Sequence, residues 1–467
     1  MNVTTISRQT QVWRDPRAIS LLMAASLTTM ANATISPALP GLERLFAEDP
    51  NAAMLVRLLV PAPSISVAIL APFAGLAADR YGRRRMLLAG VILFVAAGCA
   101  GLFLPDLPSI FASRLVLGLA VALIMTAQTA LVGDYFTGDD RTALSGLQIS
   151  ARNFGGLVFI SLAGWFAAIS PRLSFVIYGV AALFLPLMWR VIVDPPRTPP
   201  IVHARLESNA SHPLSWRFAI GLLALLQAAT NMIFFVMPTQ LAFYFAESGY
   251  SSPVMTGSAL GGLMLSGGCL ALLYGRVQRA IGYGGVFALG YGVMALGFVL
   301  LARAMSPPAW FAGAAAIGVG YALVSPSFVT LALGLAPLSR RGTAGGILTA
   351  SVFIGQFCSP LASSPLVAAY GYEGLFSITS SLAAAMAGAA VLKGCARGLQ
   401  ALKPALPTMD WHHPTKPEAD PGPNSRASDV KSGPRFGIDP MTNPLSGASF
   451  GADPAGHASD PLGRTMR

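Results

Sequence analysis

Charged side chains are scarce in this chain. Of its 467 residues, only 11% are Asp, Glu, Lys or Arg, whereas 54% are hydrophobic. An average soluble protein has about 25% charged residues, which help to cover its surface. The shortage excludes a soluble enzyme, a disordered protein or a secreted disulfide scaffold for most of the chain. The composition is instead typical of a protein that crosses a membrane several times.

Residues for catalysis and metal binding are also few. The cysteines lie far apart, without a second Cys or a His at metal-ligand spacing, so we predict buried free thiols; they are Cys99, Cys269, Cys358 and Cys395. The first lysine is Lys393, followed by Gly394, so the Gly-Lys-Ser/Thr end of an ATP-binding loop is missing. We therefore predict no enzyme, no cofactor and no metal site.

Long apolar runs fill most of the sequence. A helix that crosses a bilayer needs about 20 predominantly apolar residues. Twelve segments meet this requirement, at residues 18–40, 54–76, 86–104, 108–133, 143–168, 173–193, 217–244, 254–275, 284–303, 308–335, 343–369 and 374–396. The sequence thus predicts an all-α membrane protein with twelve transmembrane helices.

The basic residues between these segments predict their orientation. With the N-terminus in the cytoplasm, 19 Lys and Arg residues fall in cytoplasmic segments, and the outer loops hold only Arg44, Arg172 and Arg303. Cytoplasmic loops of membrane proteins carry such an excess of Lys and Arg. We expect a multi-pass protein of the cytoplasmic (inner) membrane with both termini in the cytoplasm.

Two halves of the chain share a repeat with an offset of 200 residues. Gly75 and Gly82 bracket one loop, and Gly275 and Gly282 bracket its counterpart. Parallel repeats of this kind place a substrate site between the halves, near the middle of the bilayer. The predicted parts are a cytoplasmic N-terminal segment 1–17, a six-helix bundle 18–193, a cytoplasmic linker 194–216, a second six-helix bundle 217–397 and a disordered cytoplasmic tail 398–467.

The loop between the second and third apolar segments, residues 75–85, reads GLAADRYGRRR. Gly75 would let two helices approach closely, and Gly82 would permit a tight turn. The Asp79 carboxylate can accept hydrogen bonds from neighbouring arginines, which also anchor the loop at the anionic inner leaflet. The candidate gating residues are Gly75, Asp79, Arg80, Gly82, Arg83 and Arg84.

This loop strongly resembles the signature loop of the major facilitator superfamily. The segment 113–118, SRLVLG, resembles the second motif of that family. The segment 34–40 resembles the end of the first helix in the twelve-helix drug:proton antiporters of the family, and 355–360 resembles its drug and metabolite exporters. The resemblance covers residues 18–396. It implies a fold of two six-helix bundles that alternately open a central site to each side, with the loop at 75–85 latching the outward-facing state.

Polar residues inside the apolar segments are candidates for binding substrate or protons. Arg114 lies about 9 Å and Arg152 about 14 Å inside its helix at the usual helical rise, and burial of a charge at such depth is costly. The other candidates are Asn32, Gln128, Asn231, Gln240, Tyr321 and Gln356, which we expect to converge on one cavity, and Asp134, near the Arg80–Arg85 loop. Each could instead form a structural hydrogen bond between helices.

The predicted function is proton-coupled export of small organic or amphipathic compounds. The alternative is uptake or exchange of a small organic anion without proton antiport. It draws on Arg114 and Arg152, on the lack of Asp or Glu near the middle of any segment, and on residues 155–164, which lack the Gly-Pro pair of the antiporters. A membrane receptor or scaffold is a third class. We expect a monomer in the lipid bilayer whose partners are substrate and protons, not nucleic acid.

Overall fold

The protein is helical throughout the described part of the chain. The computed structural model describes residues 14–194, 215–303, 306–337 and 340–401. Within these ranges helices are joined by short connections, and no β-strand occurs. The predicted all-α class is therefore confirmed. The predicted N-terminal segment, linker and tail lie largely outside the described residues.

Residues 14–194 form the first helical set. Its helices are α1 Pro16–Ala33, α2 Leu39–Leu45, α3 Ala52–Leu59, α4 Ala62–Tyr81, α5 Arg83–Cys99, α6 Leu107–Tyr135, α7 Gly138–Ile169 and α8 Leu185–Val191. Three 3-10 segments, Ser36–Ala38, Ala100–Leu102 and Pro171–Phe184, continue or join these helices. The sixth predicted span is thus mostly a 3-10 helix that becomes α-helical only at Leu185.

Residues 215–401 form the second helical set. Its helices are α9 Ser215–Glu247, α10 Pro253–Arg303, α11 Pro307–Leu335 and α12 Arg341–Ala401. The two longest helices each consist of two helices that meet at a glycine with a positive φ, at Gly282 (66°) in α10 and Gly371 (65°) in α12. Glycine adopts this backbone conformation without steric penalty.

The number of membrane crossings depends on how these breaks are treated. By length and composition, nine helices in the described ranges can cross a membrane. A tenth crossing is counted if α3 and the first part of α4, bent by 54°, form one span. The helices α10 and α12, with 51 and 61 residues, are each long enough for two crossings. Dividing both at their glycines would raise the count from ten to twelve, the number that the sequence predicts.

Large apolar side chains lie on the surface of the helical sets. Phe103, Phe218 and Trp165 have exposed fractions of 84%, 77% and 68%. Lipid is the solvent that suits such a surface, whereas a soluble protein of this kind would aggregate. Cys269 is also exposed, and Cys99 and Cys358 are half-buried, so the prediction of buried cysteines is wrong for Cys269 and only partly met by the other two.

Contacts between helix ends define the two ends of the molecule. The Arg17 guanidinium lies 5.2 Å from the centre of the Tyr135 ring, at the end of α6. The Val193 N–H, just beyond α8, donates to the Tyr135 hydroxyl at 3.0 Å. We call this the linker end, because the predicted linker begins at residue 194, and the opposite end the far end.

The two helical sets touch directly where α7 meets the first part of α10. A Cβ atom on Gly164 would lie 2.7 Å from the Pro253 carbonyl oxygen, and one on Gly257 would lie 3.0 Å from the Ile160 carbonyl oxygen. The backbones can approach this closely only because both residues lack side chains, as in other membrane helix pairs. Helices α4 and α12 form a second contact between the sets.

Candidate functional site

A cavity of about 390 Å³ lies between the two helical sets. Helices α1, α6 and α7 line it from the first set, and α9, α10, α11 and α12 line it from the second. Ile149 and Val329, both exposed, line it toward the linker end. Its volume is within the range of about 300–1,000 Å³ found for small-molecule sites.

The lining combines polar side chains with aromatic and methionine side chains. The polar side chains are Thr28, Thr29, Asn32, Arg152, Asn153, Gln227, Tyr321, Ser325, Thr349 and Gln356. The large apolar ones include Met125, Phe234, Phe235, Met264 and Phe353. Such a mixture can hold the apolar body of an organic molecule while a few polar groups orient it.

Gln356 joins the two helical sets at the cavity. Its Oε1 atom accepts hydrogen bonds from Asn32 Nδ2 at 3.0 Å and from Ser64 Oγ at 2.8 Å. The donors belong to α1 and α4 of the first set, whereas Gln356 belongs to α12 of the second. These bonds close the cavity on the side that faces the far end.

Arg152 supplies the single charge among the described residues that line the cavity. Its Nε atom is buried and has no hydrogen-bond partner. The Tyr321 hydroxyl, on the other helical set, interacts with its charge. The Arg152 guanidinium therefore retains N–H donors that can bind a ligand.

Tyr321 is held in place by two neighbours from α9. Its hydroxyl donates to Asn231 Oδ1 at 2.9 Å, and its ring stacks on Phe234 with the ring centres 3.9 Å apart. Asn231 in turn donates from Nδ2 to the Gln227 carbonyl oxygen at 2.8 Å. The hydroxyl that faces Arg152 is therefore fixed by the second set.

Arg57 connects the two sets at the far end. Its guanidinium lies 4.7 Å from the centre of the Phe243 ring of α9 and 3.9 Å from Glu43 Oε1 of α2. It also interacts with the Tyr372 hydroxyl, at the start of the second part of α12. One arginine of the first set thus touches two helices of the second, where the sets are closed.

The sequence-predicted gating loop is bound to its own helical set at the linker end. Arg83 forms an ion pair with Asp134, at the end of α6, as its position near the loop predicts. The Arg84 N–H donates to Asp194 Oδ1 at 2.7 Å, and its guanidinium donates to the Trp189 carbonyl oxygen at 2.7 Å. These contacts tie α5 to α6 and α8.

The structure supports one glycine prediction in this loop and corrects the other. Gly82 has a φ of 97°, and a Cβ there would lie 2.8 Å from Asp194 Oδ2, so the turn requires glycine. A Cβ on Gly75 would meet Thr126 at 3.8 Å, an ordinary contact. The predicted close helix approach at Gly75 is therefore wrong. Arg80 lies beside the Tyr81 ring, and the side chain of Asp79 is outside the described part.

Arg114 does not line the cavity. It is completely buried within the first set, where Nη2 donates to the Gly98 carbonyl oxygen at 3.0 Å. Its guanidinium lies 4.7 Å from the centre of the Phe175 ring and 4.6 Å from that of Tyr178. This aromatic enclosure fixes three helical segments to one another, which is the structural alternative that the sequence left open.

Three amide candidates also lie away from the cavity lining. Gln128 donates to the Leu21 carbonyl oxygen at 3.1 Å and joins α6 to α1. Gln240 donates to Ser363 Oγ at 2.8 Å and joins α9 to α12. Asn231 reaches the cavity only through Tyr321. The candidates that do line it are Asn32, Arg152, Tyr321 and Gln356.

Sequence reasoning missed several residues of the lining. Asn153 follows Arg152, and its side chain donates to the Ile149 carbonyl oxygen at 3.0 Å. The aromatic residues Phe234, Phe235 and Phe353 were not singled out because they lie in uniformly apolar runs. The position of Asn153 next to a buried arginine could have identified it as a lining residue. No feature of the sequence marked the phenylalanines.

The chain is similar to known membrane transport proteins. The sequence model described as Major Facilitator Superfamily matches residues 21–282. The quinolone resistance protein NorA of Staphylococcus aureus (strain MSSA476) is 23% identical over 331 residues, which cover 66% of this chain and 80% of NorA. An uncharacterized MFS-type transporter of Pseudomonas aeruginosa (strain LESB58) is 27% identical over 301 residues, covering 63% of this chain and 72% of that protein.

Two solved structures have a similar fold. The crystal structure of a D-xylose-proton symporter matches with a TM-score of 0.65 and 20% identity, over 80% of this chain and 96% of the symporter. That of a peptide transporter POT variant matches with a TM-score of 0.66 and 16% identity, over 82% of this chain and 95% of the transporter. At these identities the likeness concerns the fold.

Proposed function

Because the chain belongs to the major facilitator superfamily, we propose that it exports small organic or amphipathic compounds in exchange for protons. As a member of this family it is a multi-pass membrane transporter and not an enzyme. The export direction, the proton coupling and the substrate class are the parts that we propose. They rest on the cavity, on its closure and on the relatives.

The observation that carries the proposal is a cavity between two helical sets that is closed at one end only. Gln356 and Arg57 join the sets on the far-end side, whereas exposed residues line the cavity toward the linker end. Transport by alternating access requires the far-end contacts to separate while the linker end closes. Both contacts can separate because each involves side chains only.

Two further observations support export. From the distribution of basic residues we propose a cytoplasmic linker end, which makes the open side of the cavity the side where an exporter takes up its substrate. The relative NorA is named for quinolone resistance. The ion pair between Arg83 and Asp134 then lies on the cytoplasmic side, where we propose that the loop at 75–85 latches the outward-facing state.

The second candidate function is uptake or exchange of an organic anion without proton antiport. None of the described residues that line the cavity is an Asp, Glu or His. A proton carried by a titrating side chain would therefore have to bind outside the cavity. This observation favours the second candidate only with respect to proton coupling, and it does not bear on the direction of transport.

Membrane vesicles test the proposal. Inverted vesicles that contain the protein are given an acidic interior, and a pH-sensitive dye reports proton release as cationic, neutral and anionic amphiphiles are added. Proton release on addition of a compound, absent from vesicles without the protein, would support export by antiport. Equilibration of labelled organic acids without proton release would support the second candidate. If no compound moves in either assay, the proposed transport is wrong.

A further inference from the structure

The two buried arginines of the first set have different surroundings. Arg114 is enclosed by Phe175, Tyr178 and the Gly98 carbonyl oxygen inside one helical set. Arg152 faces a cavity between the sets, and its buried Nε has no hydrogen-bond partner. Removal of a guanidinium from water is costly unless another group compensates it. Buried nitrogens of both guanidiniums lack a hydrogen-bond partner, Nε and Nη1 in Arg114 and Nε in Arg152, but only Arg152 adjoins a cavity that a ligand can enter.

The carboxylates of the described segments are placed elsewhere. Ion pairs join Glu43 to Arg57 and Glu373 to Arg303 toward the far end, and Asp134 to Arg83 at the linker end. The other polar groups that line the cavity with Arg152 are neutral, among them the Tyr321 hydroxyl and the Asn153 and Gln356 amides. The cavity therefore has a net positive charge, which repels an organic cation and attracts an anion.

The apolar side chains of the cavity indicate what kind of group the uncharged part of the ligand is. Phe234, Phe235 and Phe353 with Met125 and Met264 form an apolar surface within the same cavity. Aromatic and methionine side chains accommodate flat apolar groups of varied shape. A cavity of about 390 Å³ suits a molecule of drug size or smaller. The planar guanidinium binds a carboxylate through two parallel hydrogen bonds.

Resting on the proposed transport function, we propose that the substrate is an amphipathic organic acid whose carboxylate binds Arg152. Its apolar body lies against the phenylalanine and methionine wall. The ligand brings the negative charge that the cavity lacks, so it completes the hydrogen bonding of Arg152. Because Arg152 belongs to α7 and Tyr321 to α11, the bound carboxylate lies where both helical sets contribute polar groups.

Three probes with the same apolar body test the charge preference. The full-length protein in detergent is titrated with 1-naphthoate, 1-naphthamide and 1-naphthylmethylammonium, which are negative, neutral and positive. We expect 1-naphthoate to bind at least tenfold more tightly than the other two. Equal binding of all three, or preferred binding of the ammonium, would overturn the proposal.

Variants test whether Arg152 is responsible. Arg152→Gln should abolish the preference for naphthoate, whereas Arg279→Gln removes an exposed arginine outside the cavity and should leave it unchanged. If Arg152→Gln does not fold, Asn153→Asp places a carboxylate beside an intact Arg152 and should weaken naphthoate binding at least tenfold. A preference that survives in the variant that folds would contradict the proposal.

The binding and transport results are separable. Naphthoate binding that depends on Arg152, without movement of any compound in vesicles, would support this inference and contradict the proposed function. Transport of cationic amphiphiles that is unaffected by Arg152→Gln would support the proposed transport function and contradict this inference.

Discussion

The two loops that are repeated 200 residues apart have similar backbones but different electrostatic surroundings. Gly82 and Gly282 both have a positive φ. In the first loop, Arg83 pairs with Asp134 and the Arg84 N–H is bound by Asp194. Residues 215–401 contain only two acidic residues, Glu247 and Glu373, and both lie toward the far end. The arginines of the second loop therefore have no carboxylate of their own set nearby.

The difference distinguishes the contacts that both helical sets need to fold from the linker-end ion pairs that, among the described residues, only the first set has. Since the described residues of the second set form their helices without an ion pair at the linker end, apolar packing suffices there. The carboxylates of the first set, Asp134 and Asp194, cross-link α5 to α6 and to the end of α8 there. Such one-sided cross-links fit a gating role, because a contact needed only for folding would be expected in both repeats.

The largest expected effect comes from the two turn glycines. Alanine in this backbone region costs about 1–3 kcal/mol, and at position 82 its Cβ would also approach Asp194 to 2.8 Å. Gly282 has no atom within 4 Å of the corresponding position. We expect Gly82→Ala to lower the thermal unfolding temperature clearly more than Gly282→Ala. Equal shifts would show that the Asp194 contact contributes nothing.

A smaller effect is expected from the ion pair. Asp134→Asn removes the partner of Arg83, and a partly exposed pair contributes about 0.2–1 kcal/mol. Transport in vesicles should fall by up to about fivefold while membrane insertion stays normal. Arg276→Gln in the second loop is the matched control and should change transport less than twofold. An unchanged rate in Asp134→Asn would contradict the gating role.

The smallest effect is expected when the missing pair is transferred to the second set. Tyr283 and Gly334 correspond to Arg83 and Asp134 at the offset of 200, and Gly334 has open space around it. A double-mutant cycle with Tyr283→Arg and Gly334→Asp should give a favourable coupling in unfolding of about 0.5 kcal/mol. Zero coupling would mean that the repeats differ in geometry as well as in charge.

Much of the fold could be predicted because lipid requires long apolar helices. The predicted span 308–335 agrees with α11 within one residue at its start. The predicted span 54–76 differs, because the chain bends between α3 and α4 near Pro61. A proline removes a backbone donor and disturbs the preceding turn, but prolines are frequent in membrane helices. Whether one of them bends the helix depends on its neighbours.

The site was harder to predict because sequence gives the depth of a residue and not the direction in which it points. Arg114 and Arg152 are both deep in their helices, yet one faces helices of its own set and the other faces the cavity. In a helix that is apolar all round, no periodic pattern marks the side that lines a cavity. Asn32 and Gln356 were identified correctly as polar residues, but their mutual hydrogen bond depends on tertiary packing.

The Gln356 side chain gives the cavity a different chemical character in each access state. With the far end closed, its oxygen is occupied by Asn32 and Ser64, so only the amide hydrogens remain for a ligand. Separation of the sets at the far end breaks both bonds and frees an acceptor. The same separation frees the Asn32 amide and the Ser64 hydroxyl as donors, so the pocket then offers an acceptor and donors that were paired before. The hydrogen-bonding groups that a ligand meets therefore differ between the two access states.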